Sequence, residues 1–232
     1  MPRTRNDIQH EATRAHILET ARAQMALFGT AGIGLRAIAR ELGLTAPALY
    51  RYFPSLDDLI TALIVENFTA LAEALETARD QAVGGPVERL RAVMMAYRAW
   101  AVARATDFQL IYGNPIPGYH APSEVTVPIV VRGFVVIVGL IEEALQSGAL
   151  APRLPYDHIP PATAAYLHEV IERDGYPVSA QALYLAIVSW TAGHGTIVLE
   201  MFHHLQPVIG DAAIFYAAQV ERLLDSFGAR PL

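Results

Sequence analysis

The 232 residues contain no cysteine and no lysine. Without cysteine there is neither a disulfide framework nor a thiolate metal site, and a reducing compartment is compatible. Long uninterrupted apolar runs are missing too. The most apolar stretch, Val125 to Ile141, contains Pro128, Arg132, Gly133 and Gly139 and falls short of the roughly 20 residues that span a bilayer. It reads as a buried helix, and no membrane partner is expected. The polar start MPRTRNDIQHEATR does not read as a signal peptide, which makes a cytoplasmic location the expectation. Enzyme signatures are also lacking: there is no Gly-x-Ser-x-Gly and no phosphate-cradling Gly-Lys-Ser/Thr loop. His168-Glu169 is followed by Val170-Ile171-Glu172, so the zinc-protease pattern fails at its second histidine. Gly29, Gly32 and Gly34 follow no strand, which disqualifies them as a dinucleotide loop. Neither an enzyme nor a bound cofactor is expected.

What is present is unevenly spread. The net charge is −6, which argues against a generic nucleic-acid coat. Residues 1–56, however, carry seven arginines against four acids, a net of +3, while the remainder carries ten arginines against nineteen acids, a net of −9. A basic head on an acidic body suits a DNA reader with a separate regulatory domain. The basic start with Arg3 and Arg5 could follow a phosphate backbone or reach a minor groove.

The stretch LRAIARELGLTAPALYRYF, residues 35–53, carries the sharpest pattern. Leu35, Ile38, Ala39 and Leu42 recur at helical spacing, with Arg36, Arg40 and Glu41 pointing elsewhere. Gly43 stands where a helix commonly ends in a left-handed residue, and Thr45 offers a hydroxyl to cap the next helix. That second helix, Ala46 to Phe53, opens on Ala46, Pro47 and Ala48, where proline costs no helical hydrogen bond. Small residues there leave the helix end slim enough for a major groove, with Leu49 and Phe53 facing inward and Tyr50, Arg51 and Tyr52 outward. Helix, glycine turn and thin second helix make a helix-turn-helix pattern.

On these residues, with Phe28-Gly29 before them and Pro54-Ser55 and Asp57-Asp58-Leu59-Ile60 after, residues 12–64 resemble the DNA-binding domain of the TetR family of bacterial transcriptional regulators. The resemblance implies an all-α chain: an N-terminal three-helix helix-turn-helix domain, residues 1–56, followed by a helical ligand-binding and dimerisation domain, residues 57–232. It implies phosphate contacts by Arg36, Thr45, Tyr50 and Tyr52, and base-edge contacts by Ala46, Pro47, Ala48 and Arg51. Of the latter only Arg51 reads a base by hydrogen bonds, arginine on guanine acceptors being the strongest specific contact available. The implied partners are double-stranded operator DNA, a small, mostly apolar effector and a second copy of the chain. Two positions depart from the family pattern. Leu56 stands where a lysine is usual, so one phosphate contact is missing or supplied by an arginine; Gly34 stands where serine or threonine is usual before the first short helix.

Along the rest of the chain, helices are expected over about 10–28, with Ile17, Leu18, Ala21, Met25 and Phe28 on one stripe, and from Ser55, whose pairing with Asp58 makes a capping box, to about Gln81. The latter helix belongs to both head and body and is a natural lever. Gly84-Gly85-Pro86 breaks the chain. Helices follow over about 87–104, around Phe108 to Tyr112, and on to about Ser147. In that last stretch residues 129–138 favour a strand by propensity, but Glu142, Glu143 and Gln146 continue at helical spacing and no partner strand exists. The final helices are expected over about 162–173, 179–205 and 211–227. The last two are apolar on more than one face, which suits a homodimer interface.

Candidate effector contacts are Trp100, Phe108, Tyr112, Phe134, Tyr166, Trp190 and His194. The segment WTAGHG, Trp190 to Gly195, resembles a Trp-His-Gly signature found in one subgroup of TetR C-terminal domains, with His194 either a core residue or a polar anchor for a ligand. Glu200, His203 and His204 lie on one helical face and read either as a metal-binding set or as residues near a helix C-terminus, where imidazoles meet free carbonyls. They leave open an alternative function as a helical metal-binding protein or enzyme. A third reading is a dimeric scaffold without DNA binding.

Overall fold

The computed structural model describes residues 5–113 and 116–229, within that span not the side chains of residues 5, 6 and 31. The expected basic arm therefore lies outside the described residues for Arg3 and for the Arg5 side chain. All regular structure among the described residues is helical: α1 (Arg5–Phe28), α2 (Leu35–Glu41), α3 (Ala46–Tyr50), α4 (Leu56–Gln81), α5 (Pro86–Ala103), α6 (Ala105–Tyr112), α7 (Ser123–Gln146), α8 (Pro161–Asp174), α9 (Ala180–Met201), α10 (Gln206–Ile209) and α11 (Ala212–Ser226), with one 3-10 turn at Thr30–Gly32. By packing the chain divides into two compact units, residues 1–69 with 104–129, and residues 70–103 with 130–232. The division runs through α4, and α6 is grouped with the first unit.

In the first unit α1, α2, α3 and the first half of α4 close on a core of Ile17, Leu18, Ile38, Leu49, Phe53, Leu59 and Leu63. All but Phe53, which follows α3, come from the apolar stripe of a helix, so the periodicity visible in the chain is the periodicity that is buried. Phe28 is an exception: it ends α1 exposed to solvent rather than on the buried stripe, because α1 stops there and Gly29 turns the chain at φ 77°. Polar contacts tie the helices together. Arg22 of α1 reaches Glu66 of α4 at 2.7 Å and Asp107 of α6 at 3.3 Å. Of the expected capping box the Ser55 half forms, the Asp58 amide donating to Ser55 Oγ at 3.1 Å, while the Asp58 carboxylate accepts from the Ser55 hydroxyl at 2.7 Å.

In the second unit α5, α9 and α11 pack on one another, burying Leu90, Val93, Leu185, Ile197, Val220 and Leu224. Three arginines of α5 hold its neighbours: Arg89 reaches Glu143 of α7, Arg91 reaches Glu221 of α11, and Arg98 reaches Glu200 of α9.

Two expectations need correction here. The Val/Ile-rich stretch is helical, but it is not a buried helix. Ile137, Leu140, Ile141 and Ala144 face the core, while Val135 is 48% exposed. There are more branched apolar residues than one buried stripe holds. The helix also runs longer than the apolar stretch suggested, and both α7 and α9 are long and apolar enough to cross a bilayer by length and composition. Near its middle, α7 carries Arg132, ion-paired with Glu76 of α4. Helix α9 ends at Met201 rather than near residue 205. Beyond its end the His203 and His204 amides donate to the Glu200 and Leu199 carbonyls, and His203 turns left-handed at φ 58°. The short α10 then follows.

Candidate nucleic-acid interface

Local chemistry builds the helix-turn-helix residue by residue. Helix α2 ends in a double hydrogen-bonded turn, with the Leu44 amide donating to the Ala39 carbonyl at 2.8 Å and the Gly43 amide to the Arg40 carbonyl at 3.3 Å. This is the Schellman arrangement, and it requires the residue between to be left-handed. Gly43 has φ 64°. Nothing crowds a Cβ there, so backbone conformation rather than space selects glycine. Thr45 then caps α3 by accepting the Ala48 amide at 3.3 Å. Helix α3 is short, ending at Tyr50 rather than Phe53. The Tyr52 and Phe53 amides still donate to the Leu49 carbonyl, at 2.8 and 3.1 Å.

This geometry sorts the residues of the two helices by face. Leu35, Ile38, Ala39, Leu49 and Phe53 are buried. Arg36, Arg40, Thr45, Ala46, Pro47, Tyr50 and Arg51 are exposed, and Ala48 and Tyr52 half-buried. Tyr52 departs from a purely outward residue: it packs against the core, and its ring stacks on His10 of α1 at 4.5 Å between centroids.

One hollow of about 690 Å³ opens on this unit, lined by Gly34, Arg36, Arg40, Tyr50, Ser55 and Leu56 among others. Both positions that depart from the family pattern border it. The charge that a lysine at residue 56 would bring is present in Arg36 and Arg40, two guanidinium groups beside the same hollow. Arg40 was not among the residues singled out from the sequence. Its position was legible as the polar face of α2, but its neighbourhood with Leu56 depends on how α2 and α4 meet. The hollow combines basic groups, a phenol and a serine hydroxyl, a set suited to a phosphate.

The seven residues considered for an effector are distributed over both units. Phe108 and Tyr112 lie in the first unit, with ring centroids 5.1 Å apart, and Tyr112 meets Phe68 edge-on. In the second unit Trp190 and His194 lie together at 5.2 Å, and His194 Nδ1 is 2.7 Å from the Tyr97 hydroxyl. Burial holds the His194 imidazole below its usual value. Trp100 is buried in α5, its indole nitrogen without an acceptor among the described residues. Phe134 lines a separate cavity of about 470 Å³ beside α7. Tyr166 is 60% exposed on α8 and does not line that cavity. Sequence identified aromatic residues correctly as large and apolar, but which ones converge is a property of packing.

The metal-like set resolves differently. Glu200 is buried and accepts from Arg98 Nε at 2.8 Å. His203 and His204 are exposed, and Gln206 Nε2 donates to the Glu200 carbonyl at 3.0 Å. No group of three candidate metal ligands occurs among the described residues.

Comparison with known proteins places these features. The profile described as bacterial regulatory proteins, tetR family, matches residues 17–63, and that described as tetracyclin repressor-like, C-terminal domain, matches residues 90–223. The HTH-type transcriptional regulator Rv1816 of Mycobacterium tuberculosis is 33% identical over 218 residues, covering 92% of each chain. Among solved structures, a candidate regulatory protein, SCO4313, is 28% identical with a TM-score of 0.77 over 97% of this chain and 100% of its own. A bacterial regulatory protein in the tetR family from Rhodococcus RHA1 shares the fold at 18% identity, with a TM-score of 0.65 over 94% of this chain and 98% of its own.

Proposed function

The chain belongs to the TetR family of bacterial transcriptional regulators, with a DNA-binding N-terminal and a ligand-binding C-terminal domain, and from that premise we propose that it is a repressor that binds a palindromic operator as a homodimer. Residues 1–56 are the DNA-reading portion. Arg36, Arg40, Thr45, Tyr50 and Tyr52 hold phosphates, and Ala46, Pro47, Ala48 and Arg51 face base edges. The observation that carries this reading is the sorting of α2 and α3, which buries every large aliphatic residue between 35 and 53 except the half-buried Leu42 and Leu44 and leaves Arg36, Arg40 and Arg51 exposed.

A dimer through α9 and α11 is supported by what those helices leave uncovered. Ile187, Thr191, Gly195 and Leu199 recur every four residues along α9 and are all exposed. Phe202 and Ile214 add exposures of 55% and 70%. A run of this kind costs free energy in water and gains it against a second copy of itself. A mostly apolar effector, bound in the second unit, favours the dimer conformer whose recognition helices fit the operator badly, and α4, which runs from Leu56 to Gln81, is the element through which the bias travels. No membrane partner and no catalytic role is needed, and a protein that meets chromosomal DNA acts in the cytoplasm.

Selection of bound duplexes from a randomised pool tests the reading. A two-fold symmetric consensus with guanines is expected, and Arg51→Ala should relax the choice at one base position in each half-site. Each correct arginine–guanine pair contributes about 1–3 kcal/mol of discrimination. An unenriched pool overturns the assignment.

A further inference from the structure

The cavity beside α7 combines two chemistries. Val131, Phe134, Val135 and Val138 line it at helical spacing along α7, with Val170 of α8 and Leu183 of α9. At about 470 Å³ it has the size of a small-molecule site. Its walls are apolar, and Val135 is left substantially exposed within it. A site of that kind takes an apolar body.

The polar residues lining the cavity are all anionic or neutral: Glu142, Glu143, Asp174, Gln146 and Tyr176. Two of the carboxylates already have cations, Glu143 with Arg89 and Asp174 with Arg173. Glu142 differs. It is half-buried and accepts hydrogen bonds from the Ser179 amide at 2.9 Å, Ser179 Oγ at 2.6 Å and Gln146 Nε2 at 2.7 Å. Those donors are neutral, so the charge is oriented but not cancelled, and no described residue gives it a cationic partner. Burial alone would raise the carboxyl group's pKa, but the donors from Ser179 and Gln146 outweigh it and hold the group below its usual value. Phe134 and Tyr176 complete the lining, and aromatic rings attract organic cations.

We propose that this cavity binds an amphiphilic organic cation, its apolar body on the valines of α7 and its cationic head between Glu142 and the rings of Phe134 and Tyr176. The assignment rests on the second unit being the ligand-binding part of the regulator. An anionic amphiphile fits badly, since its head would meet an uncompensated carboxylate.

Gly139 supplies a clean test. It lies in the lining of the cavity, and a Cβ built on it meets no heavy atom within 4 Å. Gly139→Leu therefore starts from a Cβ in open space, adds volume at the cavity wall and removes a helix-weakening glycine. The full-length protein is titrated calorimetrically with decyltrimethylammonium and, separately, with chain-matched decanoate, both below their micellar range. The cation should bind one per chain and roughly tenfold or more tighter than decanoate. Glu142→Gln should shrink that preference, and Gly139→Leu should abolish binding while its melting temperature is kept or raised. Equal or tighter binding of decanoate, no binding of either probe, or unchanged cation binding by Gly139→Leu would overturn the proposal. Duplex binding, measured on the same ligand-free samples, tests the regulator reading separately: its loss counts against that reading alone.

Discussion

The two units are both helical but place their charged and apolar side chains differently. In the first, the exposed face of the helix-turn-helix is arginine, threonine and tyrosine over a closed apolar core. In the second, three arginines of α5 are paired with carboxylates of α7, α11 and α9, and α7, α9, the residue after α9 and α11 leave Val135, Leu199, Phe202 and Ile214 exposed. On the proposed reading, a surface for a polyanion shows charge, and one for an apolar ligand or a second copy shows hydrocarbon.

If the units differ in this way, they should fail differently. The largest effect is expected at Arg98, whose side chain is 15% exposed against 9% for its partner Glu200. Arg98→Ala leaves a buried carboxylate unpaired, at a cost of about 3–5 kcal/mol; calorimetry should show a lowered transition for the second unit. Leu49→Ala removes a fully buried side chain from the head core at about 2–5 kcal/mol. It should abolish duplex binding while sedimentation still shows the dimer, and loss of both together would mean that the units are not separable in this sense.

Smaller perturbations refine the contrast. Thr45→Ala removes the α3 cap at about 1 kcal/mol, lowering duplex affinity with no change in dimerisation. In the second unit the pH response should be set in part by His194. Its folded-state pKa lies below the ordinary 6.5 because the ring is buried, so the unfolded chain takes up the proton first as pH falls. The contribution to stability is complete above about pH 6.5 and is lost as the pH drops toward the folded-state value. His194→Gln should flatten that part of the denaturation profile, and an unchanged slope would remove His194 as its source.

The head was more legible in the sequence than the body for a physical reason. Gly43, Thr45 and the Ser55–Asp58 box act within a few residues of themselves, so the chain states them locally. The alternation of Leu35, Ile38 and Ala39 names a buried face without needing to know what covers it. In the body the same periodicity told that α7 is a helix but not that half of it faces solvent. Trp190 and His194 are one helical turn apart and were found together, whereas Phe108 and Tyr112 pack in the other unit and Tyr166 points outward. The neighbourhood of Arg40 with Leu56, and of Glu142 with Ser179, joins positions far apart in the chain. Such pairings are set by tertiary packing.

The most direct test of the central claim is fluorescence anisotropy of the purified protein on the duplex immediately upstream of its own gene, against a scrambled duplex, at two salt concentrations. Regulators often act on adjacent promoters, and specific contacts survive salt that strips non-specific phosphate binding. The account predicts preferential binding to the upstream duplex that persists at the higher salt. Absence of binding to either duplex would contradict it.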